Sequence, residues 1–596
     1  MTDATIGAAD EAPRPHVDLD RRLHPSTPLL FAALLLAGLG FGLYGLLHDI
    51  ARVGEPLAVG VFALLAVALF VALGFEFVNG FHDTANAVAT VIYTHSLPPP
   101  VAVVWSGFWN FTGVMLSSGA VAYTIVNLLP VDLILKIGSA AGYAMIFALL
   151  LAAVVWNLAT WFVGIPNSST HCLIGSILGV GLANQLISPR TADQTSGVEW
   201  GQAVEVFRQL LFSPLIGFAG AALLLLLAKP LLRNPTLWRE PQGGKPPPWG
   251  IRSLLIFTCT AVSFAHGGND GQKGMGLIML ILIGAAPTAF SVNRTLDDAA
   301  TPGFLRTSAA AEQVLARRAG GPLPSLADAR ETLKTALRRH ETGTSQVAGA
   351  IAVMGRAVDA RVRAFGGVRR TPAEAVENMR NDMYMVADAT RRITRDKKTL
   401  AATYGEADGR AVSAYGKAVE GGVRFIPTWV KVAVAIALGL GTMVGWKRIV
   451  RTVGEKIGKT HLTYGQGAAA ELMAAATIMT AQFHGAPVST THILSSGVAG
   501  DHGGQRLRAA VDHGAQHRLR LAVHPAGGDG ARGRALRAVP ARDRRAADLR
   551  RGARSLTTRR SSSPPGGSCG GEPGRGPPRR GGARPPERPC SPCRRR

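Results

Sequence analysis

The chain has 596 residues, with 64 Lys+Arg against 39 Asp+Glu and a formal net charge of +25. Charged residues are only 17% and mean hydropathy is +0.18, which excludes an ordinary soluble enzyme of this length, while a hydrophobic content of 47% leaves part of the chain in water. The charge is lopsided: residues 501–596 hold 23 Arg, no Lys and seven Asp+Glu, a net of +16, so the first 500 residues hold the other +9.

Residues 1–27 are polar, with Pro13, Pro15 and Pro25, and read as a solvated tail without the basic start of a signal peptide. Apolar stretches long enough for a bilayer, which needs about 20 residues, follow near 28–48, 57–78, 101–127, 142–163, 209–228, 251–266, 275–292 and 427–446. Shorter Gly- and Ser-rich apolar stretches lie near 171–187, 467–483 and 488–500. In lipid every backbone polar group must be paired within the chain, so these stretches are expected to be helices. Eight long ones are too many for the buried helices of a soluble core. Cys172 and Cys259 are the only cysteines of the first 500 residues, both in apolar surroundings, so no disulfide framework is expected.

Residues 294–425 differ in being rich in Arg, Glu, Asp and Ala, with helix-like runs such as 373–402. They read as a helical, water-exposed insert. Its basic clusters (Arg369, Arg370, Arg391, Arg392, Lys397, Lys398) favour the cytoplasm by the positive-inside tendency. The linker 229–250, with Lys229, Arg233, Arg239 and Lys245, is also basic and Pro-rich.

Two motifs occur twice. Gly80-Phe81-His82-Asp83-Thr84-Ala85-Asn86-Ala87 pairs with Gly267-Gly268-Asn269-Asp270-Gly271-Gln272-Lys273-Gly274, with the Asp in register. More specific is Gly164-Ile165-Pro166-Asn167-Ser168-Ser169-Thr170-His171, which returns as Gly485-Ala486-Pro487-Val488-Ser489-Thr490-Thr491-His492. Asp83 and Pro166 are 83 residues apart, Asp270 and Pro487 are 217 apart, and the excess of 134 nearly equals the 132 residues of the polar insert. The second half therefore reads as the first with a soluble domain inserted. The expected layout is membrane repeat 1 at 28–228, then repeat 2 in two parts, 251–293 and 426–500, flanking the insert.

Duplicated apolar segments interrupted by Gly and Pro point to a secondary transporter built from inverted repeats. A helix start freed inside the membrane carries partial positive charge and suits an anion such as phosphate. Pro166 and Pro487 suit a first helical turn, and the hydroxyls after them can donate to an oxyanion. A lone Ser or Thr in a membrane helix usually bonds back to its own backbone; the duplication argues for a shared task. Asp83 and Asp270 are intramembrane carboxylates, functional candidates by default. Asp83 with Asn86, and Asp270 with Lys273, fall three apart on one helical face and would suit a hard cation or a proton. His82, His266 and Lys273 are candidates for proton relay or counter-charge. Packing remains an equal reading for His171 and His492, and Glu76 is expected to be buried and paired. No catalytic constellation and no protein-held metal site is seen, which sets aside an enzyme acting on phosphate esters.

At these motifs the chain resembles the inorganic phosphate transporter (PiT) family, of the bacterial low-affinity type. The matching stretches are GFEFVNGFHDTANAVATVIYT, WNLATWFVGIPNSSTHCLIGSILGVGLAN, SFAHGGNDGQKGMGLIMLILIG, GWKRIVRTVGEKIGKTHLTYGQG and GAPVSTTHILSSGVAG, in order across 75–500. The resemblance implies an all-α polytopic protein of the bacterial inner membrane with inverted repeats, forming a homodimer in the bilayer. It implies import of inorganic phosphate, free or as a metal–phosphate complex, by symport with a proton or sodium and with no other cofactor. By motif match Asp83, Asn86, Asn269 and Asp270 would serve the cation. Ser168, Ser169, Thr170, Ser489, Thr490 and Thr491 would hold phosphate. The competing readings are a passive anion channel and a carrier of another tetrahedral oxyanion such as sulfate.

After Gly500 the resemblance stops, and residues 501–596 turn Arg-, Gly- and Pro-rich. A tail of this composition suits RNA or anionic lipid, or a solvated linker. The favoured reading is a frameshift in a GC-rich gene. Back-translation shifted by one base permits TMVANGSGLQWTTVRNIA and then AWLFTLPAAMVLAG, a polar turn and an apolar span. On that reading the tail is disordered, no nucleic-acid partner is expected, and Cys590 with Cys593 has no meaning as a metal pair.

Overall fold

The computed structural model describes residues 17–19, 26–54, 57–129, 139–187, 197–241, 244–339, 341–395, 397–453 and 463–501, all within one compact unit, Met1–Arg518. Most of the N-terminal tail, the Lys-rich run at 456–459 and the Arg-rich tail beyond Asp501, with its proposed frameshift and its two cysteines, lie outside the described residues.

The described residues form helices and no strand. In chain order the membrane part begins with α1 (Thr27–Ala51), α2 (Val59–Tyr93), α3 (Pro99–Met115), α4 (Ala120–Val126), α5 (Ala140–Val163), α6 (Ser169–Ile187), α7 (Trp200–Leu231) and α8 (Trp249–Ala285). The insert supplies α9 (Thr301–Ala319), α10 (Leu326–Arg339), α11 (Ser345–Phe365), α12 (Ala373–Thr394), α13 (Lys397–Tyr404) and α14 (Glu406–Val423). The chain then returns through α15 (Thr428–Thr442), α16 (Trp446–Arg451), α17 (Tyr464–Phe483) and α18 (490–501). Among the described residues α1, α2, α5, α6 and α7 are long and apolar enough to cross a membrane, and α14 with α15 makes a sixth if that pair, bent by 73°, counts as one span. The protein is an all-α, multi-pass membrane protein.

Four expected spans differ. The stretch 101–127 divides into α3 and α4, because Gly119 takes φ of 86° and starts a new helix. The stretch 427–446 closes at Thr442. Most telling, 251–266 and 275–292 are not two spans: α8 runs unbroken through the Gly-rich motif from Trp249 to Ala285, and α2 likewise runs through residues 80–87. A helical glycine costs about 1 kcal/mol relative to alanine, but unpaired backbone in an apolar interior costs more. The glycines instead allow contact. A Cβ on Gly267 would lie 2.1 Å from the Asn110 carbonyl oxygen, and one on Gly113 would lie 2.1 Å from that of Phe264. Thus α3 and α8 meet backbone to backbone.

This packing makes α8 the central helix, with residues 265–282 all buried. The outer helices turn large apolar side chains outward, among them Leu29, Phe162, Phe207 and Leu227, as a lipid-facing surface does. The insert has a separate core that includes Leu315, Leu333, Met354, Val386 and Tyr415. The run expected to be helical over 373–402 is two helices, α12 and α13. Arg392 reaches Glu199 at 3.4 Å and Arg395 reaches Glu205 at 3.5 Å, tying α12 and its end to the start of α7.

Candidate functional site

The two copies of the specific motif break their helices in the same way. At the end of α5, Gly164 takes φ of 79°. Its amide donates to the Trp161 carbonyl and that of Ile165 to the Thr160 carbonyl, both at 2.9 Å. After α17, Gly485 takes φ of 66°. Its amide donates to Gln482 at 3.0 Å and that of Ala486 to Ala481 at 2.8 Å. Each is a helix end closed by a left-handed glycine. Pro166 and Pro487 then lie in the non-helical linkers, not in the first helical turns expected for them. Ser168 and Ser489 are the caps: each hydroxyl accepts the amide of His171 or His492 at 3.2 Å. Each helix start thus has one amide already satisfied.

The copies also cross over. Thr170 Oγ1 donates to the Val488 carbonyl at 2.8 Å, and Thr491 Oγ1 lies 3.1 Å from the Asn167 carbonyl. Asn167 and Val488 are equivalent positions, so each threonine reaches into the other copy's break. The long helices answer in the same crossed sense. Thr491 Oγ1 donates to Asp83 Oδ1 at 2.6 Å, and Asn86 Nδ2 donates to Thr491 at 2.9 Å and to Asp83 at 3.0 Å. In the other copy Lys273 Nζ lies 2.6 Å from Asp270 Oδ2 and donates to Thr170. Lys273 therefore stands where the first copy has Asn86.

Between these two halves Ser169 Oγ lies 3.3 Å from Asp83 Oδ2 and 3.2 Å from Asp270 Oδ2. His266 Nε2 lies 3.5 Å from the first and 3.6 Å from the second, while its Nδ1 is 2.9 Å from Asn110 Oδ1. One atom each from Asp83, His266 and Asp270 lie within 4.8 Å of one another, close enough to share a cation. All of these groups are buried.

Other candidates fall nearby or elsewhere. Asn269 Nδ2 donates to the Ala486 carbonyl at 3.1 Å, and Thr490 is buried. His82 does not join the carboxylates through its ring; its Nε2 lies 3.2 Å from Thr160 Oγ1. His171 and His492 form a pair, ring centroids 4.7 Å apart, and both are exposed. Glu76 is buried as expected; neither carboxylate oxygen meets a partner in hydrogen-bond geometry among the described residues, although Asn79, the Gly274 amide and Lys273 lie near it. The sequence reading missed Asn110, which orients His266 and donates to Thr442 Oγ1 at 3.1 Å. A polar amide inside the apolar run 101–127 was the signal available.

A buried cluster of two carboxylates, one ammonium, one imidazole and several hydroxyls has the groups to hold a small oxyanion and a cation together. Neither charge is then buried alone.

The sequence profile described as the phosphate transporter family matches residues 79–247 and 239–519. The chain is 40% identical over 466 residues to the low-affinity inorganic phosphate transporter PitA of Escherichia coli strain K12, covering 75% of this chain and 90% of that protein. The chain is 38% identical over 468 residues to the low-affinity inorganic phosphate transporter PitB of the same strain, again covering 75% of this chain and 90% of that protein. The probable low-affinity inorganic phosphate transporter of Bacillus subtilis strain 168 is 27% identical over 456 residues, covering 76% of this chain and 90% of that protein. A solved structure titled as the sodium-dependent phosphate transporter aligns at 19% identity with a TM-score of 0.38, covering 75% of this chain and 90% of that one.

Proposed function

The chain belongs to the phosphate transporter family, and on that premise we propose that it imports inorganic phosphate across a bacterial inner membrane by symport with a cation, a proton in preference to sodium. Two membrane repeats of inverted orientation, 28–228 and 251–500 without the soluble insert, enclose one site near the middle of the bilayer. The working partners are inorganic phosphate, the lipid around the outer helices and a second copy of the chain in a homodimer.

The observation that carries this reading is the sharing of donors. Thr491 and Lys273, the groups best suited to hold a phosphate oxygen, are bonded to Asp83 and Asp270. A bare carboxylate thus competes with phosphate for the same hydrogens. A cation or proton on Asp83 and Asp270 weakens those bonds and frees the hydroxyl and the ammonium for the oxyanion. Phosphate and cation then bind tightly only together, which is the thermodynamic content of symport.

In this scheme Asp83, Asn86, Asn269 and Asp270 serve the cation. Lys273 with Thr170, Thr490 and Thr491 holds phosphate, Ser169 bridges the two parts, and Ser168 and Ser489 fix the helix starts. His266 sits where it can take up a proton between the carboxylates. A divalent metal moved with phosphate would be cargo at the same carboxylates.

Uptake of labelled phosphate into proteoliposomes tests the proposal. Accumulation that collapses with the ion gradient, and is lost in Asp83→Asn and Asp270→Asn proteins that still insert, is expected. Flux indifferent to any ion gradient would instead support a channel.

A further inference from the structure

Glu76 lies in α2, seven residues before Asp83, a rise of about 10 Å along the helix. It is fully buried, and both carboxylate oxygens lack a hydrogen-bond partner among the described residues. Asn79, three residues on and therefore on the same helical face, is also fully buried, and both polar atoms of its carboxamide lack a partner among those residues. Glu76 is pressed against α8 where that helix has no side chain: a Cβ on Gly274 would lie 2.3 Å from Glu76 Cγ.

The charged groups facing it are few. On α8 they are Asp270 and Lys273, and Lys273 is already held by Asp270 and Thr170. Among the other helices packed on α2, α3 and α5 carry no charged residue, and the one on α15, Lys431, donates to the Ser117 carbonyl at 3.1 Å. α16, with Lys447, Arg448 and Arg451, and α17, with Glu471, pack on α2 farther along, where Gly445 meets Phe81 and Gly467 meets Thr90. The nearest donors, the Asn79 carboxamide and the Gly274 amide, fall outside hydrogen-bond geometry, and the nearest cation is held by Asp270; an ionised carboxylate so placed in an apolar interior costs several kcal/mol or more. A metal ion would need several further oxygen ligands, and beside Glu76 the described side chains supply that of Asn79. A proton needs none, and a protonated Glu76 gains a donor for the idle Asn79 oxygen.

Position adds a direction. α2 and α8 are antiparallel, since Asp83 and Asp270 share Ser169 while Glu76 meets Gly274. Glu76 therefore lies on the side of the site toward the end of α8, where the chain leaves for the insert.

We propose that Glu76 is a proton-carrying group distinct from the Asp83–Asp270 site, placed between that site and the insert-facing side of the membrane. It is a neutral acid with Asn79 as its acceptor, it loses its proton to water on the insert side as that side opens, and it is reprotonated from the site side. One O–H bond breaks and one forms in each cycle, and no other reactant is consumed. This inference rests on the symport reading above.

The test uses the full chain in proteoliposomes and separates two assays. Phosphate exchange at equal pH on both sides reports the binding site, and accumulation driven by a pH difference reports coupling. Active exchange by the unaltered protein is the check on the symport reading itself, and its absence would defeat that reading first. Glu76→Gln is expected to retain exchange within a few-fold, to lose accumulation, and to show exchange with a pH profile displaced from that of the unaltered protein. Infrared difference spectra should lose the carbonyl band of a protonated carboxylic acid in that variant. Undiminished pH-driven accumulation by Glu76→Gln would overturn the proposal, and so would loss of exchange together with accumulation in a folded protein. Should Glu76→Gln not fold, Glu76→Asp, which keeps the carboxyl but withdraws it, is expected to accumulate phosphate with a shifted pH profile. An unshifted profile would overturn the proposal equally.

Discussion

Thr491 donates a 2.6 Å hydrogen bond to Asp83, a residue 408 positions earlier in the chain. The contact joins the second copy of one motif to the first copy of the other. Its counterpart runs from Lys273 to Thr170.

If these threonines hold phosphate when the carboxylates are neutralised, each loses a hydrogen bond to a charged group on truncation. Such bonds are worth about 1.5–3 kcal/mol, so Thr491→Ala and Thr170→Ala should each weaken phosphate binding by about 10- to 100-fold. Thr491→Ser should restore most of the loss. Titration calorimetry on purified protein reads both, and full affinity in either alanine variant would remove the threonines from the site.

Lys273 and Asp270 are both wholly buried and 2.6 Å apart. Removing one partner of such a pair costs about 3–5 kcal/mol, because the other charge remains in the apolar interior. Lys273→Met should therefore lower the melting temperature in detergent sharply. Lys273→Met with Asp270→Asn should recover most of the stability and still fail to transport. A double variant no more stable than the single one would show that the pair is not the source of the loss.

Gly164 and Gly485 carry positive φ at the two breaks. A side chain in this conformation costs about 1–2 kcal/mol, and a Cβ on Gly164 would also meet Arg448 Cγ at 3.2 Å. Gly164→Ala and Gly485→Ala should shift Thr170 or Thr491 and reduce uptake more than stability. Uptake assays beside melting curves separate the two effects, and equal losses would leave the breaks with a purely structural role.

In the insert, burial pushes the Asp359 carboxyl up to about 6, against the opposing pull of Ser308 and Arg363. Its Oδ1 has no partner among the described residues. The folded state thus holds this proton more tightly than the unfolded chain does. Stability from this group is present in acid and is lost as pH rises from about 4 through 6. Asp359→Asn should remove that loss and stabilise the protein by about 2 kcal/mol above neutrality. Melting curves from pH 4 to 8 read the difference, and parallel curves for the two proteins would refute it.

Much of this was legible in the residues. Apolar runs fixed helices in a membrane, since lipid leaves the backbone no other partner. The repeated Gly-x-Pro-x-Ser-[Ser/Thr]-Thr-His marked the breaks because glycine alone adopts positive φ freely. The 134-residue excess between motifs located the insert. Other features were misread from local chemistry. Four glycines within 267–274 look like a break, and Pro166 looks like a first helical turn; the packing of α3 on α8 and the capping by Ser168 decide otherwise.

The sequence by itself determined the elements, the duplication and the types of group available at the site. Only the tertiary structure decided which groups meet: Asp83 with Thr491, Lys273 with Thr170, His266 between the carboxylates, and Glu76 with no hydrogen-bond partner among the described residues. The physical reason is range. Helix formation and its termination are set by neighbours within a few residues, whereas a buried charge finds its partner through packing across hundreds.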